Sequence, residues 1–112
     1  MLEVANLDVN QGASRTDNFK LFDSRTGIKI VVPAEDVDSL VIELRASPDR
    51  STEILETLTL TRVGDVYPIT LPTAFTTANV GNIYGDIKFV LTGGLTDYAA
   101  RLIYKIGNTT TA

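Results

Sequence analysis

The sequence predicts an all-β fold, an antiparallel two-sheet β-sandwich of roughly seven or eight strands. Apolar and polar residues alternate along several segments, and turn residues separate these segments at intervals of about 8 to 12 residues. One short helical turn is predicted near residues 72–80. The 112 residues, 44% of them hydrophobic, are enough for one domain with a hydrophobic core.

The clearest strand is predicted over residues 39–46, where every second side chain is apolar. An acidic turn at residues 33–38 precedes this strand, and a turn that contains Pro48 follows it. Alternation then resumes, and residues 57–71 are predicted to form a hairpin around a Gly-Asp turn. A further hairpin, with its loop at residues 24–27, is predicted nearer the N-terminus.

The C-terminal third is predicted to form a long antiparallel hairpin. Residues 82–91 and 97–106 both alternate, and Gly93 and Gly94 between them can adopt the positive φ that a tight turn requires. The pairing of these two segments is expected to bury Ile87, Phe89, Leu102 and Tyr104.

The first 17 residues allow two interpretations. Residues 1–17 form either an N-terminal arm that reaches a neighbouring molecule or the first strand of the sandwich, because the polar stretch at residues 10–17 resembles a flexible connector. The sandwich itself is expected to span residues 18–107, with a tail at residues 108–112. Four apolar side chains of the arm are candidate partner contacts: Leu2, Val4, Leu7 and Val9.

Cysteine and histidine are both absent from the sequence. Their absence argues against disulfide frameworks, thiolate nucleophiles, the usual zinc sites and the commonest general base. The net charge of −4, with basic residues scattered rather than grouped, argues against nucleic-acid binding. No apolar run approaches the roughly 20 residues that span a bilayer, and the N-terminus lacks a signal-peptide pattern, so synthesis and folding in a cytoplasm are expected.

The acidic residues suggest two kinds of site, and neither is assigned. Glu35, Asp36 and Asp38 are close enough in sequence to begin a calcium site, but they lack the EF-hand spacing, so a solvated turn is the preferred interpretation. Glycoside hydrolysis needs two carboxylates across a groove, and no spacing in the sequence selects such a pair. We therefore expect no catalytic residue, no metal and no cofactor.

Aromatic rings provide the best alternative for a small ligand, because carbohydrate-binding modules share the sandwich fold and stack sugars on exposed rings. The candidate rings are Tyr67, Tyr84, Tyr98, Tyr104 and Phe75. Tyr98 and Tyr104 alternate in phase with neighbouring apolar residues, which predicts that both lie in the core or at its edge.

From residue 19 to residue 107 the order of elements resembles the immunoglobulin-like domain at the N-terminus of tailed-phage baseplate upper proteins and in related tail-fibre and virion accessory proteins. The most specific part is the short helical turn and glycine of residues 76–81, followed by a strand at residues 83–89. The sequence departs from the family where Ile83 and Gly85 stand in place of aromatic residues. The resembling segments are residues 19–23, 27–30, 39–45, 67–72, 76–81, 83–89 and 101–106.

This resemblance implies an immunoglobulin-like sandwich and a non-enzymatic structural role in a virion. The role it favours is a capsid decoration or cement protein, and a tail, baseplate or fibre-attachment component is the alternative. The implied partners are further copies of the chain and other virion proteins of the coat or tail, with no membrane. A carbohydrate-binding module stays open as a second function.

Overall fold

The structure is a computed structural model, and it describes residues 3–23 and 30–107. Strands dominate this part of the chain, and the only α-helix in it is a short one, α1 (Thr73–Ala78), which confirms the predicted helical turn. A 3-10 turn at Ala34–Asp36 leads into β5. The strands are β1 (Glu3–Asn10), β2 (Arg15–Phe19), β3 (Phe22–Asp23), β4 (Ile30–Val31), β5 (Val37–Arg45), β6 (Glu56–Thr59), β7 (Tyr67–Leu71), β8 (Gly81–Leu91) and β9 (Thr96–Gly107).

Five of these strands form one sheet in the order β1-β9-β8-β5-β6, and the pairs β2–β7 and β3–β4 form two smaller sheets. All pairings are antiparallel except that of β1 with β9, which is parallel. The prediction of wholly antiparallel sheets is therefore wrong for this pair. The two strands lie at opposite ends of the chain, so no tight turn imposes an antiparallel direction on them.

The hydrophobic core lies between the five-stranded sheet and the β2–β7 pair, and the fold is all-β and sandwich-like. Leu40, Ile42 and Leu44 project into this core from β5, because successive side chains of a strand point to opposite faces. Ile69 and Leu71 meet them from β7, and all five side chains are almost fully buried in a single cluster.

The predicted C-terminal hairpin is confirmed. β8 pairs antiparallel with β9 from Gly81 to Val90, and the chain turns where Gly93 and Gly94 have φ values of 103° and 95°. Burial follows the prediction in part. Ile87 and Tyr104 are fully buried, whereas Phe89 and Leu102 are only partly buried against the core.

The predicted hairpin between β6 and β7 is wrong. β6 pairs with β5 and β7 pairs with β2, so the chain passes from one sheet to the other between these strands. The crossing allows Leu58 of β6 and Ile69 of β7 to contact one core from opposite sides. The predicted N-terminal hairpin corresponds to the β3–β4 pair, while its loop at residues 24–27 and the tail at residues 108–112 lie outside the described residues.

Candidate functional site

The five-stranded sheet has a polar face that points away from the core, which we call the outer face. Glu43 and Arg45 point to this face of β5, since their neighbours Ile42 and Leu44 point to the core. Asp86 of β8 lies directly opposite Glu43, and Arg101 of β9 lies opposite Asp86. Residues paired in this way project to the same face, so strand register alone brings these charges together. The outer-face cluster comprises Glu43, Arg45, Arg50, Asp86, Lys88, Tyr98 and Arg101.

Asp86 is the centre of the outer-face cluster and has no exposed surface. Arg101 donates two hydrogen bonds to it, from Nε to Oδ1 at 2.7 Å and from Nη2 to Oδ2 at 3.1 Å. Nη1 of Arg45 and Nε of Arg50 lie 3.6 Å and 3.5 Å from Oδ2. The hydrogen bond from Arg101 to Asp86 raises the pKa of Arg101 more than burial lowers it.

Glu43 is the second carboxylate of the cluster and is also buried. Its Oε1 accepts hydrogen bonds from Nη2 of Arg45 at 3.3 Å and from the hydroxyl of Tyr98 at 2.9 Å. Nζ of Lys88 lies 4.0 Å from Oε2. Burial raises the pKa of Tyr98, and its hydrogen bond to the Glu43 carboxylate raises it further, because ionisation would place two negative charges side by side.

Residues 46–55, which we call the covering loop, lie across the cluster. Arg45 donates from Nε to the carbonyl of Thr52 at 2.9 Å, and Arg101 donates from Nη2 to the carbonyl of Pro48 at 2.7 Å. The guanidinium of Arg50 stacks over the ring of Tyr98 at 3.7 Å from its centroid. The covering loop is thus attached to three strands by the same arginines that bind the carboxylates.

The cluster holds more positive than negative charge. Four cationic side chains, Arg45, Arg50, Lys88 and Arg101, share the carboxylates of Glu43 and Asp86. Nη1 of Arg45 is buried without a hydrogen-bond partner. The arrangement therefore holds the covering loop and the strands together, and Asp49 and Glu53 of the covering loop offset the excess positive charge.

Sequence reasoning missed the outer-face cluster because its members are far apart along the chain. The basic residues look scattered in the sequence, and the register of β5, β8 and β9 gathers three of them, while the covering loop adds Arg50. The sequence nevertheless contained a signal for the cluster. Glu43 and Arg45 occupy polar positions within the most confidently predicted strand, as Asp86 does in the next long strand, and charged residues at such positions on central strands need partners.

The predicted partner contacts occupy two different faces of β1. Val4 lies opposite Arg101 at the outer face and is 56% exposed. Val9 is buried in the core and Leu7 packs against it, so these two side chains stabilise the sandwich itself. Leu2 lies outside the described residues. Of the described candidates, Val4 alone presents a large apolar surface to a partner.

The acidic turn at Glu35, Asp36 and Asp38 is exposed and precedes or begins β5. Backbone carbonyls of this turn bind Thr92, just after β8. The N–H of Thr92 donates to the Asp36 carbonyl, and its hydroxyl donates to the Glu35 carbonyl. Among the described residues, no three acidic, histidine or cysteine side chains are grouped as metal ligands. The turn thus closes one end of the sheet.

The aromatic rings proposed for a sugar lie mostly inside the fold. Tyr67, Tyr104 and Phe75 are buried core residues, and Tyr84 is half-buried. Tyr98 is half-buried with Arg50 stacked on its ring. In the structure these rings therefore take part in hydrophobic packing and in cation–π stacking.

No protein-family model matches the sequence, and no curated protein matches it. Within the part of the chain that the structure describes, no helix has the length and apolar character needed to cross a membrane.

Proposed function

We propose that this chain is a non-enzymatic structural protein of a tailed-phage virion, an immunoglobulin-like sandwich that acts as a capsid decoration or cement protein. A component of the tail, baseplate or fibre attachment is the alternative. The proposal combines the resemblance of residues 19–107 with the strand order and with the open edge of β1.

The strand order supports the immunoglobulin-like part of the proposal. In variable-type immunoglobulin domains one sheet contains strands G, F, C and C′, and the other contains B beside E. The order β9-β8-β5-β6 and the pair β2–β7 agree with this arrangement when the short β3–β4 pair is left unlettered and the other strands are lettered A, B, C, C′, E, F and G in chain order. The helix α1 lies between β7 and β8, in the E–F connection, where the phage domains have their helical turn.

The free edge of β1 is the observation that carries the structural role. Among the described residues, β1 pairs with β9 on one side only. On its other side the carbonyls of Asp8 and Asn10 already accept from Arg15 and Ala13, so the open part of the edge is the part around Val4. Val4 is exposed on this strand and lies opposite Arg101 at the outer face. An open strand edge beside an exposed apolar side chain suits a subunit that binds a neighbouring protein in a particle by strand addition.

The direct test is to locate the chain in purified particles of the phage whose genome encodes it. Mass spectrometry should detect it in amounts comparable to other structural proteins, and immunogold electron microscopy should label the capsid. Label on the tail would support the tail alternative instead. Absence of the chain from particles that assemble while it is expressed would refute a virion role.

A pair of matched variants tests whether β1 makes the contact. Val4→Asp should reduce incorporation into particles without lowering the melting temperature, because the side chain is 56% exposed. Val80→Asp is the control, since Val80 is similarly exposed at 50% but precedes β8. Equal incorporation of the two variants would mean that another surface binds the particle.

A further inference from the structure

The edge strand β6 leaves a second row of backbone groups unpaired. The N–H of Leu60, just after β6, donates to the carbonyl of Leu40 at 2.8 Å. In an antiparallel pair, residues whose backbone groups point to the partner strand alternate with residues whose backbone groups point away from it. The N–H and C=O groups of Leu58 therefore also point to β5, and those of Thr57 and Thr59 point away from it. Within the described chain, no strand pairs with this side of β6.

A groove of about 460 Å³ runs along this open edge. Residues 57–61 form one wall, and Pro68 and Thr70 of β7 form the other. Edge strands are commonly protected from pairing by lysine, proline or a bulge. Residues 56–61 contain no lysine and no proline, and β6 keeps an unbroken register with β5. This edge therefore lacks the lysine, the proline and the bulge that commonly block strand addition.

The sequence of the edge is close to symmetric about its centre. Residues 56–62 read Glu-Thr-Leu-Thr-Leu-Thr-Arg, with Thr59 in the middle. If a second copy paired antiparallel about Thr59, each leucine would face a leucine and each threonine a threonine. The carboxylate of Glu56 would then face the guanidinium of Arg62 at both ends. Parallel in-register pairing would instead place like charges opposite each other.

The backbone agrees with the same register. In a pairing centred on Thr59, Thr59 faces its own counterpart and Thr57 faces Thr61 of the other copy. These odd-numbered residues are the ones whose backbone groups point away from β5. The pairing that matches the charges therefore also aligns the free hydrogen-bonding groups.

The two charged ends are accessible for this interaction. Glu56 is exposed. Arg62 is held in place by hydrogen bonds from Nε to the Gly64 carbonyl at 2.7 Å and from Nη1 to the Val32 carbonyl at 2.8 Å. Those two bonds leave the Nη2 donors of the guanidinium for a carboxylate of the second copy.

We propose that two copies of this chain pair antiparallel through β6, centred on Thr59, so that their five-stranded sheets join into one continuous sheet. The inference is independent of the proposed virion role. The paired segment is short, so the dimer is of the weak class, with a Kd on the order of 10 μM.

Sedimentation equilibrium of the full chain, over concentrations on both sides of that Kd, tests the pairing. The wild type should show a monomer–dimer equilibrium. Glu56→Arg alone and Arg62→Glu alone should each weaken the dimer about fivefold or more, because like charges then meet at both ends. An equimolar mixture of the two variants should recover wild-type affinity as a heterodimer. Glu53→Arg is the control, since it makes the same charge change at an exposed residue of the covering loop.

Thr59→Pro provides an independent variant at the centre of the interface. Proline removes the outward N–H and is tolerated on an edge strand whose N–H faces solvent, so the melting temperature should change little while the dimer is lost. The proposal would be overturned by a wild type that remains monomeric at every concentration. It would also be overturned if the mixture of Glu56→Arg and Arg62→Glu dimerised no more tightly than either variant alone. A monomeric wild type whose incorporation into particles nevertheless falls with Thr59→Pro would assign this edge to another protein, which overturns self-pairing and leaves the virion role intact.

Discussion

Asp86 and Arg101 face each other across β8 and β9 and form a two-point ion pair, with Nε–Oδ1 and Nη2–Oδ2 distances of 2.7 Å and 3.1 Å. Asp86 is fully buried, and the guanidinium groups of Arg45 and Arg50 also approach it within 4 Å. One carboxylate thus balances charge from β5, from β9 and from the covering loop. Its removal would leave Glu43 as the one carboxylate of the cluster beside four cations.

Asp86→Asn should therefore destabilise the protein strongly. The amide has nearly the same shape as the carboxylate but carries no charge, so the partly buried guanidinium of Arg101 loses its counter-ion and the buried Arg45 keeps only Glu43. We expect a loss of about 3–5 kcal/mol in the free energy of unfolding, the range for a broken buried ion pair. Urea denaturation followed by circular dichroism measures it.

Asp65→Asn is the matched control for that substitution. Asp65 pairs with Lys20 at 3.3 Å, but the two side chains are 59% and 44% exposed. Solvent screens such a pair, and its loss should cost less than about 1 kcal/mol. Equal losses for the two substitutions would contradict the central position of Asp86 in the network.

Removing the hydroxyl of Tyr104 is not expected to lower the free energy of unfolding, in contrast to Asp86→Asn. This hydroxyl is buried and has no hydrogen-bond partner, whereas the hydroxyl of Tyr98 donates to Glu43 at 2.9 Å. Tyr104→Phe removes an unsatisfied polar group and should be neutral or stabilising by up to about 1 kcal/mol. Tyr98→Phe removes a bond to a charged acceptor and should cost about 1–2 kcal/mol. A larger loss for Tyr104→Phe would show that its hydroxyl has a partner in solution.

The same tyrosines predict how stability changes at alkaline pH. Burial raises the pKa of both Tyr98 and Tyr104 above the ordinary value of 10.0. The folded protein therefore holds these protons more tightly than the unfolded chain, so their stabilising effect is complete below pH 10 and declines as the pH rises beyond it. Urea midpoints at a series of pH values should fall more gradually above pH 10 for the double variant Tyr98→Phe/Tyr104→Phe. If the urea midpoints of the wild type and of the double variant fell equally steeply above pH 10, these two tyrosines would not be the cause of the loss of stability.

Local alternation was sufficient to predict the elements whose partners are close in sequence. The hairpin of β8 and β9 follows from two alternating segments around Gly93 and Gly94, and the structure pairs them as expected. Alternation alone does not specify which strands pair when the partners are distant. The parallel pairing of β1 with β9, and that of β6 with β5 instead of β7, depend on the packing of two sheets around a shared core.

The candidate site was less predictable than the fold for the same reason. The outer-face cluster draws on β5, β8, β9 and the covering loop, and its ion pairs exist only once the strand register is set. Val9 illustrates a related difficulty. Its apolar side chain suits either a partner contact or a core position, and the structure places it in the core through its pairing with Ile106.

Gly85 of β8 tests the packing of the core beneath the cluster. A Cβ at this position would lie 2.6 Å from Cδ1 of Ile42 and 3.1 Å from Cδ2 of Leu44, and both side chains are fully buried. This contact explains why β8 has glycine at this position. Gly85→Ala should cost about 1–3 kcal/mol in the free energy of unfolding, because a tightly packed core must shift to accept the methyl group.

Ile42→Val is the rescuing substitution for Gly85→Ala, since it deletes the methyl group nearest the new Cβ. Alone it should cost about 0.5–1.5 kcal/mol, and the double variant should lose at least about 0.5 kcal/mol less than the sum of the two single losses. Gly107→Ala is the control, because a Cβ there meets only the Val9 carbonyl oxygen, at 4.0 Å. Additive losses in the double variant would mean that β8 moves away from Ile42 to accommodate alanine, and a Gly107→Ala loss as large as that of Gly85→Ala would point to backbone conformation as the cause.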